Sequence, residues 1–127
     1  MAMKFVDANY LLRLFLWDIP EQARQAEAEL DRCRKGEVVV IEAVIEECCF
    51  VLTSPRTFGL SHNEVREGLV MVLSKSCFDV SSDIFVALEM FATQPKLDFV
   101  DCLLAVKTGG KRGNLLTFDT ELQRALR

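Results

Sequence analysis

An uninterrupted apolar run, Val38-Val39-Val40-Ile41 after Glu37, leaves few options for the structure around it. β-Branched side chains favour extended backbone. A strand with no polar alternation must be covered on both faces. Helices on each side of a largely parallel sheet give that cover, so the run predicts an α/β fold. Other segments agree: residues 3–6 form a short apolar run before Asp7, residues 77–80 another, and residues 114–118 a further one before Asp119. Between these runs the pattern turns helical. Leu11, Leu12, Phe15 and Leu16 share one side of a helix, and Ala23, Ala26, Leu30 and Cys33 form the stripe of the next, opened by Pro20 and stopped by Gly36. A central, mostly parallel sheet of four to five strands flanked by helices is expected, in a single domain over residues 1–127.

The remaining helices follow from the same signals. In residues 42–52, Glu42, Glu46, Cys49 and Thr53 lie on a face that can be wet, and Val44, Glu47, Cys48 and Val51 on an apolar one. That phase selects Glu47 as the inward acid. Ser61 and Glu64 spell a capping box, followed by Val65, Leu69, Val72 and Leu73, with the lone His62 expected in a solvated first turn. Ser82 is expected to cap a helix carrying Ile84, Ala87, Leu88 and Phe91. Gly109-Gly110-Lys111-Arg112-Gly113 reads as a loop, and residues 121–126 as a short closing helix. No repeat, low-complexity segment or linker interrupts the chain.

Leu97-Asp98-Phe99-Val100-Asp101-Cys102-Leu103-Leu104-Ala105 concentrates the chemistry. Asp98 and Asp101 are spaced i, i+3 and share a helix face. Asp98 can serve as a cap. Asp101 sits a turn further in among apolar neighbours, where a carboxylate needs a partner. Asp7 and Asp119 stand at the ends of strand-like runs, the position where sites gather in open α/β sheets. Taken one at a time, each acid is more readily structural than catalytic. Four acids (Asp7, Glu47, Asp101 and Asp119) at one topological end make a shared site the stronger reading.

Carboxylates held close together repel, and a divalent cation relieves this; oxygen ligands select magnesium or manganese. Such ions activate water and stabilise charge on a phosphodiester. No His or Cys cluster has zinc spacing, the single His provides no Ser-His-Asp set, and Gly109-Gly110 lacks P-loop spacing. A phosphoacceptor receiver domain would need an acidic pair after its first strand, whereas Asp7 stands alone. The net charge of −4 offers no global basic field, so a polyanion requires a local patch. Lys107, Lys111 and Arg112 form the best one, with Arg13 as a further cation. The five cysteines form no C-x-x-C pair and fit a reducing, cytoplasmic setting. The apolar N-terminal stretch is broken by Asp7 and Arg13 and is too short to span a membrane.

Several motifs, in order, resemble those of PIN-domain ribonucleases, and within them the VapC toxins of toxin–antitoxin pairs. The opening Phe5-Val6-Asp7-Ala8-Asn9-Tyr10-Leu11-Leu12-Arg13 is similar to the family's start, continued by Asp18-Ile19-Pro20-Glu21-Gln22. Glu47-Cys48-Cys49-Phe50-Val51-Leu52 resembles its Glu-x-x-aromatic-Val-Leu helix, with cysteines where aliphatic residues are commoner. Asp98-Phe99-Val100-Asp101 with Leu103-Leu104-Ala105 resembles the third acidic segment, and Leu116-Thr117-Phe118-Asp119 the fourth.

The resemblance implies a magnesium- or manganese-dependent endoribonuclease, the toxin of a type II pair, cutting RNA that is often transfer RNA. It implies metal-binding roles for Asp7, Glu47, Asp101 and Asp119, an auxiliary role for Asp98, and polar support from Asn9 and Thr117. A cognate antitoxin would cover the site, in a homodimer or a toxin–antitoxin hetero-oligomer. The alternative is a catalytically silent PIN-like module that binds RNA or protein.

Overall fold

The computed structural model describes residues 3–127. Strand β1 (Lys4–Phe5) leads into helices α1 (Ala8–Leu16) and α2 (Pro20–Asp31), which return the chain to strand β2 (Val38–Val39). Helices α3 (Glu42–Thr53) and α4 (His62–Leu73) then lead to strand β3 (Phe78–Asp79). Helices α5 (Ser82–Thr93) and α6 (Phe99–Lys107) follow, then a 3₁₀ turn at Arg112–Asn114 and helix α7 (Thr120–Ala125). The sheet order is β1-β2-β3, and both pairings are parallel. Lys4 pairs with Val38 and Val38 with Phe78, so each strand starts at one end and delivers its following helix from the other.

Local signals account for where most helices begin. Pro20 occupies the first turn of α2, and Ser61 and Glu64 form both halves of a capping box at α4. Ser81, rather than Ser82, caps α5, accepting from Asp83 N–H at 3.1 Å. Trp17 closes α1 in the left-handed region at φ 51°, and its N–H donates to Arg13 O. The chain then turns back so that Asp18 meets the Arg13 guanidinium.

The core joins Leu11 and Leu12 of α1 to Ile45, Cys48, Cys49 and Leu52 of α3, with Val65 and Leu69 of α4 and Ile84, Leu88 and Phe91 of α5. Burial of that apolar surface is the main force holding helices to sheet. Gly68 lets α1 and α4 meet: a Cβ built there would lie 2.1 Å from the Phe15 ring.

Four expectations change. Among the described residues the sheet has three strands, not four to five, and each is two residues long. Apolar and β-branched side chains favour extended backbone, but a strand also requires a paired neighbour. Residues 114–118 are not a strand: the 3₁₀ turn takes up the start of the run, and Leu116 and Phe118 are 98% and 103% exposed. The buried stripe of α3 is Ile45, Cys48, Cys49 and Leu52, which leaves Glu46 and Glu47 both exposed. Cys49 is thus inside where a wet position is expected, and Glu47 is not turned toward the interior. His62 is no free surface residue, because its ring stacks on Phe91 at 3.8 Å and its Nδ1 lies 3.0 Å from Phe91 O.

Candidate functional site

Three of the acids stand at the same kind of place, the first residue before a helix. Asp7 caps α1, accepting from Tyr10 N–H at 2.9 Å. Asp98 caps α6, accepting from Asp101 N–H at 2.8 Å. Asp119 caps α7, accepting from Glu121 and Leu122 N–H at 2.9 and 3.1 Å with a single oxygen. A helix N-terminus carries partial positive charge, which suits a carboxylate cap, and the capping bonds named here leave each acid a second oxygen for other partners. The helix positions all three, and the helix starts there because an Asp is present.

Asp101 differs. It sits at the third position of α6, and its Oδ2 accepts from Asp98 N–H at 3.2 Å, completing the reciprocal box. Burial pushes its carboxyl above the usual carboxylate range; the Asp98 N–H opposes this, and the charges of Asp98 and Asp119 add to it. Asp98, Asp101 and Asp119 therefore share one electrostatic neighbourhood. Asp7 and Glu47 share another around Cys48, whose thiol burial, helped by those two charges, pushes up to about 12. The Cys48 thiol lies 3.8 Å from Ala8 O, which sets α3 against the start of α1.

Convergence goes no further than this. Among the described residues, no three or more His, Cys, Asp or Glu side chains come close enough to hold a metal ion. In kind, the donor set suits a hard divalent cation, because it consists of carboxylates with no imidazole or free thiolate beside them. Asn9 is exposed, lining a recess of about 270 Å³ with Asp7, Tyr10 and Arg13. Thr117 supports Asp119 directly, its Oγ1 accepting from Asp119 N–H at 3.0 Å.

Most of the expected basic patch is engaged within the chain. Arg13 contacts both oxygens of Asp18, at 2.5 and 2.6 Å. Lys107 bridges Glu42 at 3.0 Å and Asp83 at 3.3 Å, tying the end of α6 to the starts of α3 and α5. The Arg112 guanidinium donates twice to Gln123 O, at 3.1 and 2.7 Å. Lys111 is exposed.

Two features escaped the motif reading. Tyr10 donates its hydroxyl to Glu29 at 2.8 Å and to Ala26 O at 3.2 Å, latching α1 to α2 beside Asp7. A cavity of about 500 Å³ opens next to it, lined by Lys4, Phe5, Asp7, Tyr10, Glu29 and Arg32 among others. The signal was present in the Asp7–Tyr10 spacing of i, i+3, but Glu29 belongs to a different helix, and only folding brings the two together. No helix among the described residues is long and apolar enough to cross a membrane.

The family model described as PIN domain matches residues 4–126. No curated protein and no solved structure matches the chain significantly.

Proposed function

We propose, because the chain belongs to the PIN-domain family, that it is a metal-dependent endoribonuclease and the toxin of a toxin–antitoxin pair. PIN domains are commonly nucleases, which supports hydrolysis of a phosphodiester as the reaction class. The observation that carries the reading is the reciprocal Asp98–Asp101 box at the start of α6, which brings two carboxylates together with Asp119 near enough for its charge to act on Asp101. Negative charge crowded in this way is what a divalent cation relieves.

Asp101 and Asp119, with Asp7 and Glu47, are the residues that would hold magnesium or manganese. Asp98 would act by fixing Asp101. When bound, the cation supplies a nucleophilic water at neutral pH and stabilises charge on the phosphoryl oxygens. The protein's own contribution is to present free carboxylate oxygens from helix starts, with Thr117 setting Asp119. Lys111 and the second edge of the Arg112 fork are the cations available to a phosphate backbone. A cognate antitoxin would inhibit by bringing an Arg to the same acids, in competition with the metal.

A second reading is favoured by one observation: no three acids gather into a metal-holding group among the described residues. A silent module binding RNA or protein would have no need of one. The two readings separate on a thermal melt and a cleavage assay done together. For the enzyme, magnesium or manganese raises the melting temperature of antitoxin-free protein, Asp101→Asn with Asp119→Asn removes that rise, and RNA is cut until EDTA is added. Absence of both metal stabilisation and cleavage establishes the silent module.

A further inference from the structure

Helices α1 and α2 leave a recess between them at the place where Asp7 stands. It measures about 270 Å³ and is lined from α1 by Asn9, Tyr10 and Arg13, and from α2 by Gln22, Gln25 and Glu29. The charged members of this set have partners within the chain. Asp7 accepts from Tyr10 N–H at 2.9 Å, Glu29 accepts from the Tyr10 hydroxyl at 2.8 Å, and Arg13 is paired with Asp18. The neutral members do not: Asn9, Gln22 and Gln25 are exposed, and among the described residues no hydrogen bond engages their carboxamides.

The sequence of α2 sorts these groups. Gln22, Gln25 and Glu29, spaced i, i+3, i+7, share one face of the helix. Arg24, Glu27 and Asp31, with the same spacing, share the opposite face, away from the recess. Solvation asks only that an outer face be polar. It does not explain why α2 sets carboxamides beside Asp7 and charges on its far side.

A carboxamide offers a donor and an acceptor side by side with no net charge. That pattern complements a base edge, such as N6 and N7 of adenine. Beside an acidic centre, it adds no negative charge to oppose a polyanion. The recess is smaller than the site of a drug-sized ligand and on the scale of a single base. In an RNA duplex the major groove is too deep and narrow for side chains to read, so a base recognised here is an unpaired one. Tyr10 gives the recess an aromatic wall, with the ring held in place by its hydroxyl bonds to Glu29 and Ala26 O.

We propose that the recess between α1 and α2 receives one unpaired base of the RNA, next to the phosphate at Asp7, and that Gln22 and Gln25 select this base by its edge. The inference rests on the nuclease reading and adds a specificity subsite to it.

Cleavage of a randomised single-stranded RNA pool by antitoxin-free protein with magnesium, followed by sequencing of the product ends, tests the proposal. Wild type favours one base at a fixed position beside the cut by at least about 10-fold, the scale of one well-formed base contact. Gln22→Ala and Gln25→Ala still cut, and each lowers that preference by at least about threefold. Glu27→Gln, on the opposite face of α2, keeps the wild-type preference. In a parallel arm the same pool is bound to each protein in EDTA and the retained RNA is sequenced. Cleavage with no base preference, or a preference that survives both glutamine variants, overturns the subsite and leaves the nuclease reading standing. So do glutamine variants that change only inhibition by the antitoxin, which would make the recess a protein-binding surface. If wild type cuts no RNA with magnesium or manganese, the nuclease reading falls. Enrichment of one base in the retained pool, lost on Gln25→Ala, then upholds the subsite, and an unenriched pool overturns it as well.

Discussion

Asp98 and Asp101 hold each other's backbone: each carboxylate accepts the other's N–H, at 2.8 and 3.2 Å. The arrangement starts α6 and, in the same act, brings two carboxylates together at its N-terminus. Capping and charge crowding are thus one structure, and they can be pulled apart only by changing the shape and charge of each residue separately.

Asp101→Asn keeps an oxygen acceptor for Asp98 N–H and removes the charge. Its folded carboxyl is raised above the unfolded value, chiefly by burial. The native state therefore holds the proton more tightly. The resulting destabilisation is absent below the unfolded value, near 3.8, and grows as pH rises through the folded one. Metal-free Asp101→Asn should melt at or above the wild-type temperature at neutral pH, and the gap should close toward pH 4. Cleavage should fall at least about 100-fold. A variant that melts lower than wild type at neutral pH in EDTA would mark Asp101 as a cap alone.

Asp98 permits the converse experiment. Asp98→Ser retains a capping oxygen, while Asp98→Ala removes it and should cost about 1 kcal/mol in urea unfolding. Both remove the charge beside Asp101. Metal affinity should therefore drop by a similar factor in the two variants, about 10- to 100-fold by titration calorimetry, although only one loses stability. Unequal affinities would tie the effect to helix fraying.

Glu46 and Glu47 are both exposed, so burial does not choose between them. The charge of Glu47 acts on Cys48 together with that of Asp7, whereas the charge of Glu46 acts on Cys49 together with that of Asp98. Glu47→Gln should abolish RNA cleavage, and Glu46→Gln should leave it within about threefold, less than 1 kcal/mol. The reverse ranking would move the fourth ligand to the Asp98 side.

Lysines 107 and 111 should behave differently. Lys107→Met breaks contacts to Glu42 and Asp83, partly exposed pairs, and should lower the melting temperature slightly with little change in RNA affinity. Lys111→Met should leave stability unchanged, weaken RNA binding and lower its salt dependence by about one counterion. Fluorescence anisotropy across a salt series reads both.

Thiol reactivity checks the packing of α3 and α6. Burial raises the Cys48 and Cys102 thiols to about 12 and Cys49 well above its ordinary value, whereas Cys33 is only half-buried. Iodoacetamide at pH 8 should label Cys33 first and spare the other three until the protein unfolds. Early labelling of Cys49 would mean that α3 is rotated about its axis.

Helices were legible because their signals are local. Pro20, the Ser61–Glu64 box and the Asp98–Asp101 spacing lie within four residues of the structure they specify. Sheet membership is not local. Residues 114–118 carry strand-like side chains, but pairing depends on an edge more than a hundred residues away along the chain. The phase of α3 failed for a related reason: its buried stripe runs between the two faces drawn from charge, and the cysteines, apolar in effect, decide it. His62 reads as solvated until Phe91, brought in by α5, covers its ring. The order of the acids could be read directly; how closely they approach could not, because α1, α3, α6 and α7 each contribute separately.

Gly68 contributes no group to any chemistry, yet Phe15 lies where its side chain would be. Enlarging residue 68 would wedge α1 off α4, and α1 is the helix that begins at Asp7. A screen that scored only cleavage would then rank this glycine beside the acids. A screen that scored only folding would find it a modest packing position. The disagreement between the two rankings would measure how far a shift at the back of α1 is felt at its front.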